Sequence, residues 1–241
     1  MRKVNYNELP RPTFRWMKVN HLELDGYDVP YLPSVDIKET HEGDVKVSFY
    51  RGNGLDDLGD FTGAGREALR EALNHSMNGC VITVPENGKG TVRLTYEISK
   101  DMPALMGQLK IEAAEDSEVE VYILFEGDAP DGYVNIAEYI EAAARAKVTV
   151  KKVQFNGPAV RHIEHRYVRS AKDSEVNYVS AEMGAKEAVL YYRTDLDEAE
   201  SKFKSHAMYV GSEDQVLDFS YWVLQKGEKS HADICLLYTS D

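Results

Sequence analysis

The sequence predicts a mainly β protein, a parallel β-helix preceded by a small α/β N-terminal region, and three observations predict it. First, the stretches AEDSEVEVYILF, AARAKVTVKKVQF, AKDSEVNYVSAEM and DEAESKFKSHAMYV align on Val119, Val148, Val176 and Phe203, at steps of about 28 residues. Second, each has the same grammar, a turn of small and charged residues followed by a strand alternating apolar and polar positions. Third, a second set of strands falls between them, at 134–140, 163–168, 189–192 and 216–224. Short strands and tight turns in this order suit a solenoid, because each coil buries its inward residues only by stacking on the next. An antiparallel sandwich shows similar alternation and is the structural alternative.

In chain order, residues 1–80 form an N-terminal arm and small α/β region, 81–234 the β-helix core, and 235–241 a tail of different character. Pro10, Pro12, Pro30 and Pro33 forbid a continuous helix before Lys38 and predict an extended arm with short helical pieces. Its aromatic and apolar residues, Phe14, Trp16, Met17, Val19, Tyr27 and Tyr31, are its means of packing on the body. Val45, Val47 and Phe49 alternate with Lys46 and Ser48, a strand with one buried face. Between 67 and 77, Ala68, Leu69, Ala72, Leu73 and Met77 recur at helical spacing, and Asn78-Gly79 supplies a stop. Val81, Ile82 and Val84 then run into Pro85 as a strand. The segment VNIAEYIEAAARAKV is rich in alanine and glutamate and favours helix by propensity. It occupies a strand slot of the repeat, and stacking between coils outweighs a preference of about tenths of a kcal/mol per residue.

The 241 residues, 43% hydrophobic, suffice for one large domain with a buried core. The longest apolar stretches fall far short of the roughly 20 residues that cross a bilayer, and MRKVNYNELPRPTFRW lacks the apolar stretch of a signal peptide. A net charge of −13 opposes nucleic acid as a partner. Cys80 and Cys235 are the two cysteines, too few for a disulfide framework or a four-thiolate site, and a reducing, cytoplasmic compartment fits.

No motif assigns catalytic chemistry. RGNGLDDLG superficially resembles a phosphate loop, but Asp57 stands where a third glycine belongs after Gly52 and Gly54, and paired aspartates repel phosphate. GAG at Gly63 to Gly65 fails similarly. His162, Glu164 and His165 form the densest metal-ligand constellation, yet on a strand His165 faces away from the other two. The plainer reading is a surface strand whose Arg161, Arg166 and Arg169 pair with acids on adjacent coils. His206 and His231 stand alone, and no G-x-S-x-G occurs. Asp195, Asp197 and Asp218 with Tyr191, Tyr192, Tyr221 and Trp222 would suit a carbohydrate groove, although alternating aromatics more often stack in a core. Cys80 reads as a small buried hydrophobe at a helix-to-strand junction.

Three stretches carry a family resemblance: LPRPTFRWMKVN, EALNHSMNGCVITVPENGKGTVRLTYEI, and the run from KVQFNGPAVRHIEHRYVRS to EKSHADI. Together they resemble the β-helical core of the SufB/SufD iron-sulfur cluster assembly scaffolds, in particular short SufD-like proteins, over nearly the whole chain to Ile234. The resemblance implies a right-handed β-helix and a non-enzymatic scaffold. It implies a SufC-like ABC-type ATPase as the partner that hydrolyses ATP, and a SufB/SufD-like paralogue or second copy pairing through the β-helix. It transfers no catalytic residue and no metal ligand; no cofactor is expected in this stretch, a cluster forming transiently in the full complex. The peptide CLLYTSD, Cys235 to Asp241, is the translation of TGTCTCTTATACACATCTGAC, which contains a common transposase sequencing adapter. The tail is therefore expected to be non-native and the chain a fragment lacking the ATPase-docking region. A polysaccharide-binding or polysaccharide-degrading β-helix is the alternative function.

Overall fold

The structure, a computed structural model, describes residues 3–10, 20–26, 35–55, 58–212 and 214–240. Among these residues the N-terminal region contains the antiparallel pair β1 (Lys3–Tyr6) and β2 (Leu22–Asp25), the strands β3 (Ile37–Gly43) and β4 (Lys46–Tyr50), and one helix, α1 (Arg66–Asn74). Twelve strands follow: β5 (Asn78–Val84), β6 (Lys89–Ile98), β7 (Ala104–Ala113), β8 (Glu118–Gly127), β9 (Tyr133–Ala142), β10 (Lys147–Asn156), β11 (Arg161–Ser170), β12 (Glu175–Glu182), β13 (Glu187–Leu196), β14 (Lys202–Gly211), β15 (Val216–Gln225) and β16 (His231–Ser240). Odd and even strands separate into two sheets, β15-β13-β11-β9-β7-β5 and β16-β14-β12-β10-β8-β6, each parallel throughout. This is a solenoid of six two-strand coils. Its first coil is closed by β4 and β3, which pair antiparallel with β5 and β6.

The register is the one the repeat predicts, since Val119, Val148, Val176 and Phe203 lie opposite one another on successive strands. All four point inward and are buried, so the column continues from coil to coil as apolar stacking. The alanine-rich segment is strand β9, its helical preference overridden by burial on both faces. At the turn after each odd strand one residue adopts the left-handed conformation: Asn87, Asp116, Arg145, Asp173, Glu200 and Lys229, with φ between 56° and 60°. From Asn87 to Glu200 the amide of this residue donates to a carbonyl of the next turn, as in Asp116 N–H to Ala144 O at 3.1 Å. That ladder offsets the cost of a left-handed backbone at residues that carry a Cβ.

Three local expectations are corrected. The helix ends at Asn74, where the His75 amide donates to Glu71 O, and Asn78-Gly79 opens β5 instead of stopping the helix. Those two residues are committed elsewhere: the Asn78 amide exchanges hydrogen bonds with the Val35 backbone at 2.8 and 3.1 Å, and a Cβ on Gly79 would lie 2.5 Å from the Tyr50 ring. Phe49 is 52% exposed, on β4 at the edge of its sheet. Val45 and Val47 do pack on the core. The arm's Phe14, Trp16, Met17, Val19, Tyr27 and Tyr31, and Asp57, lie outside the described residues.

The N-terminal region covers the outward face of the odd-strand sheet. Ala68, Leu69 and Ala72 of α1 are buried, and Phe61 stacks on Tyr167 with ring centroids 5.0 Å apart. Gln108 on β7 pins the cover. Its Nε2 donates to Ala72 O, Leu73 O and Gly52 O, and its Oε1 accepts from Gly54 N–H and Tyr50 O–H. The glycines of RGNGLDDLG thus hold a structural loop against a buried amide.

Candidate functional site

Strand parity puts an unusual set of side chains inside the middle coils. Val148 and Val150 point inward, so Lys152, Gln154 and Asn156 do too, and β11 likewise turns His162, Glu164 and Arg166 toward them. The column Leu94, Ile123, Lys152, Ser180, Ala207 crosses from apolar to charged and back, as does Leu109, Glu138, Arg166, Tyr192, Tyr221 in the facing sheet. Lys152, Glu164, Glu182, Arg166, Glu138 and His162 are all at most 2% exposed.

The cluster is knit around Lys152. Its Nζ lies 2.5 Å from Glu164 Oε2 and 2.7 Å from Glu182 Oε1, and donates to Tyr192 OH at 2.9 Å. The His162 ring faces Glu164 Oε2 at 3.2 Å and Asn156 Oδ1 at 3.1 Å. The Arg166 guanidinium is sandwiched between the rings of Tyr178 and Tyr192, 3.3 and 3.4 Å from their centroids. Among the described residues neither Arg166 Nη finds an acceptor, and Glu138 Oε1 and Glu164 Oε1 find no hydrogen-bond partner. Tyr178 O–H donates to Glu138 Oε2 at 3.0 Å.

Burial alone would neutralise such groups, each desolvated ion costing about several kcal/mol. It pushes the Glu138 carboxyl up to about 8, with the Glu164 charge adding to the effect. Burial also pushes Glu164 up, but Lys152, His162 and Arg166 outweigh it and hold that carboxyl well below the usual range. Lys152 is raised by Glu164, Glu182 and Glu138 despite its own burial, which opposes the charge. The layer is thus a compensated ionic plug, two cations against two carboxylates, with Glu138 a third carboxyl that holds its proton below about 8.

The segment 161–169 is therefore not a surface strand. Both faces of β11 are buried, one by the opposite sheet and one by the N-terminal cover. Arg161 does pair with Glu187 on the next coil, as expected, but Arg166 is interior. His165 faces outward, away from His162 and Glu164, and is sealed beneath the cover. Ala64 N–H donates to its Nδ1 at 2.9 Å, so Nε2 carries the hydrogen and donates to Asn135 Oδ1 at 3.0 Å. Burial lowers this imidazole to about 3. Asn135 in turn donates to Glu71 Oε2 and Ala68 O of α1.

The carbohydrate constellation is not assembled. Tyr192 and Tyr221 point into the solenoid and pack edge to face at 5.0 Å, whereas Tyr191 lies outside against Phe61. Asp195 is consumed by Arg193 and Tyr167, Asp197 by Lys226, and Asp218 by Asn7, while the Trp222 indole donates to Ser220. Among the described residues, no group of three His, Cys, Asp or Glu is arranged to hold a metal. Cys80 is fully buried in β5 and its thiol is pushed up to about 12 by that burial. Cys235 is exposed on β16, at the far end of the solenoid, so the two sulfurs share no site. His206 and His231 lie outward and exposed.

The charged layer was legible in one respect that the motif reading missed. In KVTVKKVQFN, Lys152 has the parity of Val148 and Val150, and Lys151 does not. No helix of the described residues is long and apolar enough to cross a membrane. No curated protein matches the chain. Residues 96–238, from within β6 to within β16, match the family described as SUF system FeS cluster assembly, SufBD core domain. A two-sheet parallel solenoid and that match over more than half its length agree, and the chain belongs to the SufB/SufD family of iron-sulfur cluster assembly proteins.

Proposed function

We propose that the chain is a non-enzymatic scaffold of SUF-type cluster assembly whose cycle is driven by a SufC-like ABC-type ATPase, and that it works beside a SufB/SufD-like paralogue or a second copy in the cytoplasm. The single observation that carries this reading is the family match across the solenoid. The interior supports a structural role for the coils: their ionisable groups pair with one another in a sealed layer. In this reading the chain is a fragment, the native sequence continues beyond Ile234 into further coils and an ATPase-docking region, and residues 235–241 are adapter-derived. β16 runs through 235–240 in register with β14, leaving Leu237 and Tyr238 exposed at 62% and 76%.

The test begins with sequencing of the source DNA downstream of the codon for Ile234, followed by co-expression of the continued chain with an adjacent ABC ATPase. Co-purification and a cluster absorbance band that needs ATP hydrolysis are expected. A native stop after Asp241, or an ATPase that neither binds nor changes its turnover, overturns the partner assignment.

A further inference from the structure

The solenoid encloses charged side chains whose hydrogen-bonding capacity the protein leaves partly unused. Arg166 on β11 and Glu138 on β9 are register partners on adjacent parallel strands, about 4.8 Å apart at the backbone, and both point inward. Glu164 stands two residues before Arg166 on the same face. An arginine so placed ordinarily grips a carboxylate directly with both prongs of its guanidinium. Here it does not. Among the described residues, Arg166 Nη1, Arg166 Nη2, Glu138 Oε1 and Glu164 Oε1 are buried without a hydrogen-bond partner. The next coil supplies the reason. Tyr178 and Tyr192 clamp the two faces of the guanidinium at 3.3 and 3.4 Å, and the Tyr178 hydroxyl holds Glu138 by its other oxygen at 3.0 Å. The second oxygen of Glu164 is taken by Lys152 and His162.

We propose that two ordered water molecules bind here, hydrogen-bonded to Arg166, Glu138 and Glu164 and shut off from bulk solvent. Four unpartnered polar atoms converge on the site, and a buried water makes about three hydrogen bonds to such groups. Their chemistry selects a neutral ligand that both donates and accepts. The two Arg166 nitrogens only donate, and Glu164 Oε1 only accepts. The Glu138 acid, kept protonated by burial, donates from Oε1 because Oε2 accepts from Tyr178. One water accepts from an Arg166 nitrogen and from Glu138 and donates to Glu164 and to the second water. The second accepts from the first and from the other Arg166 nitrogen, which completes the set. An ion is disfavoured, since Lys152 and Arg166 already balance Glu164 and Glu182. An added anion would lie against Glu164 and an added cation against Arg166, each an uncompensated buried charge.

The site is closed at both ends and forms no passage. Toward the first coil, Leu109 precedes Glu138 and Ile136 precedes Glu164 in the same inward columns. Toward the last, Leu190 follows Glu164 and Tyr192 follows Arg166. All four are buried. Room comes from the facing sheet, where the column of Lys152 continues as two small side chains, Ser180 and Ala207. Exchange with bulk therefore waits for the coils to open, and these waters reside far longer than those at the surface. The inference rests on the interior alone and holds whether or not the ATPase assignment does.

A crystal structure of the full chain, at a resolution that places ordered solvent, reads the site directly, and oxygen-17 relaxation dispersion counts long-lived waters in solution. Two solvent peaks within hydrogen-bond distance of Arg166, Glu138 and Glu164 are expected. Glu138→Leu removes one of the water's partners without unbalancing Lys152 and Arg166 against Glu164 and Glu182, and should lower the dispersion amplitude by at least one water. Glu138→Gln keeps the hydrogen bonding and should leave the amplitude unchanged, with circular dichroism confirming the fold of both. Direct hydrogen bonds from Arg166 to Glu138 or Glu164 with no density between them would overturn the proposal, and so would an amplitude indifferent to Glu138→Leu. An anomalous bromide peak at Arg166 in crystals grown with bromide would overturn it too, by making the site one for anions. Should Glu138→Leu fail to fold, the wild-type density decides.

Discussion

Adjacent lysines on β10 provide a sharp test of the interior. Lys152 is buried between Glu164 and Glu182, while Lys151 projects outward to Glu120 and Tyr122. Replacing Lys152 by Met removes one partner and strands two carboxylates in a sealed layer, a loss of about 3–5 kcal/mol. For a chain of this size each kcal/mol moves the melting point by about 2–4 °C, so the fall should be roughly 6–20 °C. Lys151→Met, one residue away, should melt within the scatter of wild type, because its pair is exposed and water replaces it. The pH dependence follows from Glu164. With Lys152 present that carboxyl is held low, so its stabilisation is present above the unfolded value and lost as pH falls through the folded one. Without Lys152, burial favours the protonated acid, and the deficit should be larger near about pH 8 than near about pH 5. Thermal melts of the three proteins by circular dichroism at both pH values measure this. Equal melting of Lys152→Met and Lys151→Met, or a deficit independent of pH, would refute the buried ionic layer.

Other expectations follow from the same geometry. Between the reference value of 4.5 and about 8, folded Glu138 retains a proton that the unfolded chain releases, so stability declines as pH rises through that window; Glu138→Gln should flatten the decline in urea midpoints. Gly63 has φ +57°, and a Cβ there would lie 2.3 Å from His165 Nδ1. Gly63→Ala should therefore break the Ala64–His165 hydrogen bond, cost about 2–4 kcal/mol, and expose residues near α1 to limited proteolysis before the coils unfold. A thiol reagent should label Cys235 alone in the native protein and Cys80 only after denaturant, since burial keeps that thiol protonated and out of reach. Rapid native labelling of both would show that the first coil opens.

Much of the architecture was written in local pattern. The alignment of Val119, Val148, Val176 and Phe203 predicted the register that the strands adopt, because a stacked coil repeats its inward positions at a nearly constant spacing. It also overruled the helical propensity of the segment that became β9, a case where a few tenths of a kcal/mol per residue yield to two buried faces. The separation of His165 from His162 and Glu164 followed from strand parity alone.

Parity, however, says which residues share a face and is silent on what lies over that face. Phe49 has the pattern of a buried residue and is half exposed, on a strand at the edge of its sheet. Arg166 and His165 have the composition of a surface strand and are sealed, one by the rings of Tyr178 and Tyr192, the other by Ala64 and Asn135, which arrive from distant parts of the chain. The sequence by itself therefore determined the repeat, the strand identities and their register, because the period-two alternation and the coil length are properties of contiguous residues. Only the tertiary structure decided that the middle coils enclose a neutralised ionic layer and that, among the described residues, one sheet is covered while the other leaves Phe155, Val179 and Met208 exposed, because burial depends on which remote segments the fold brings back.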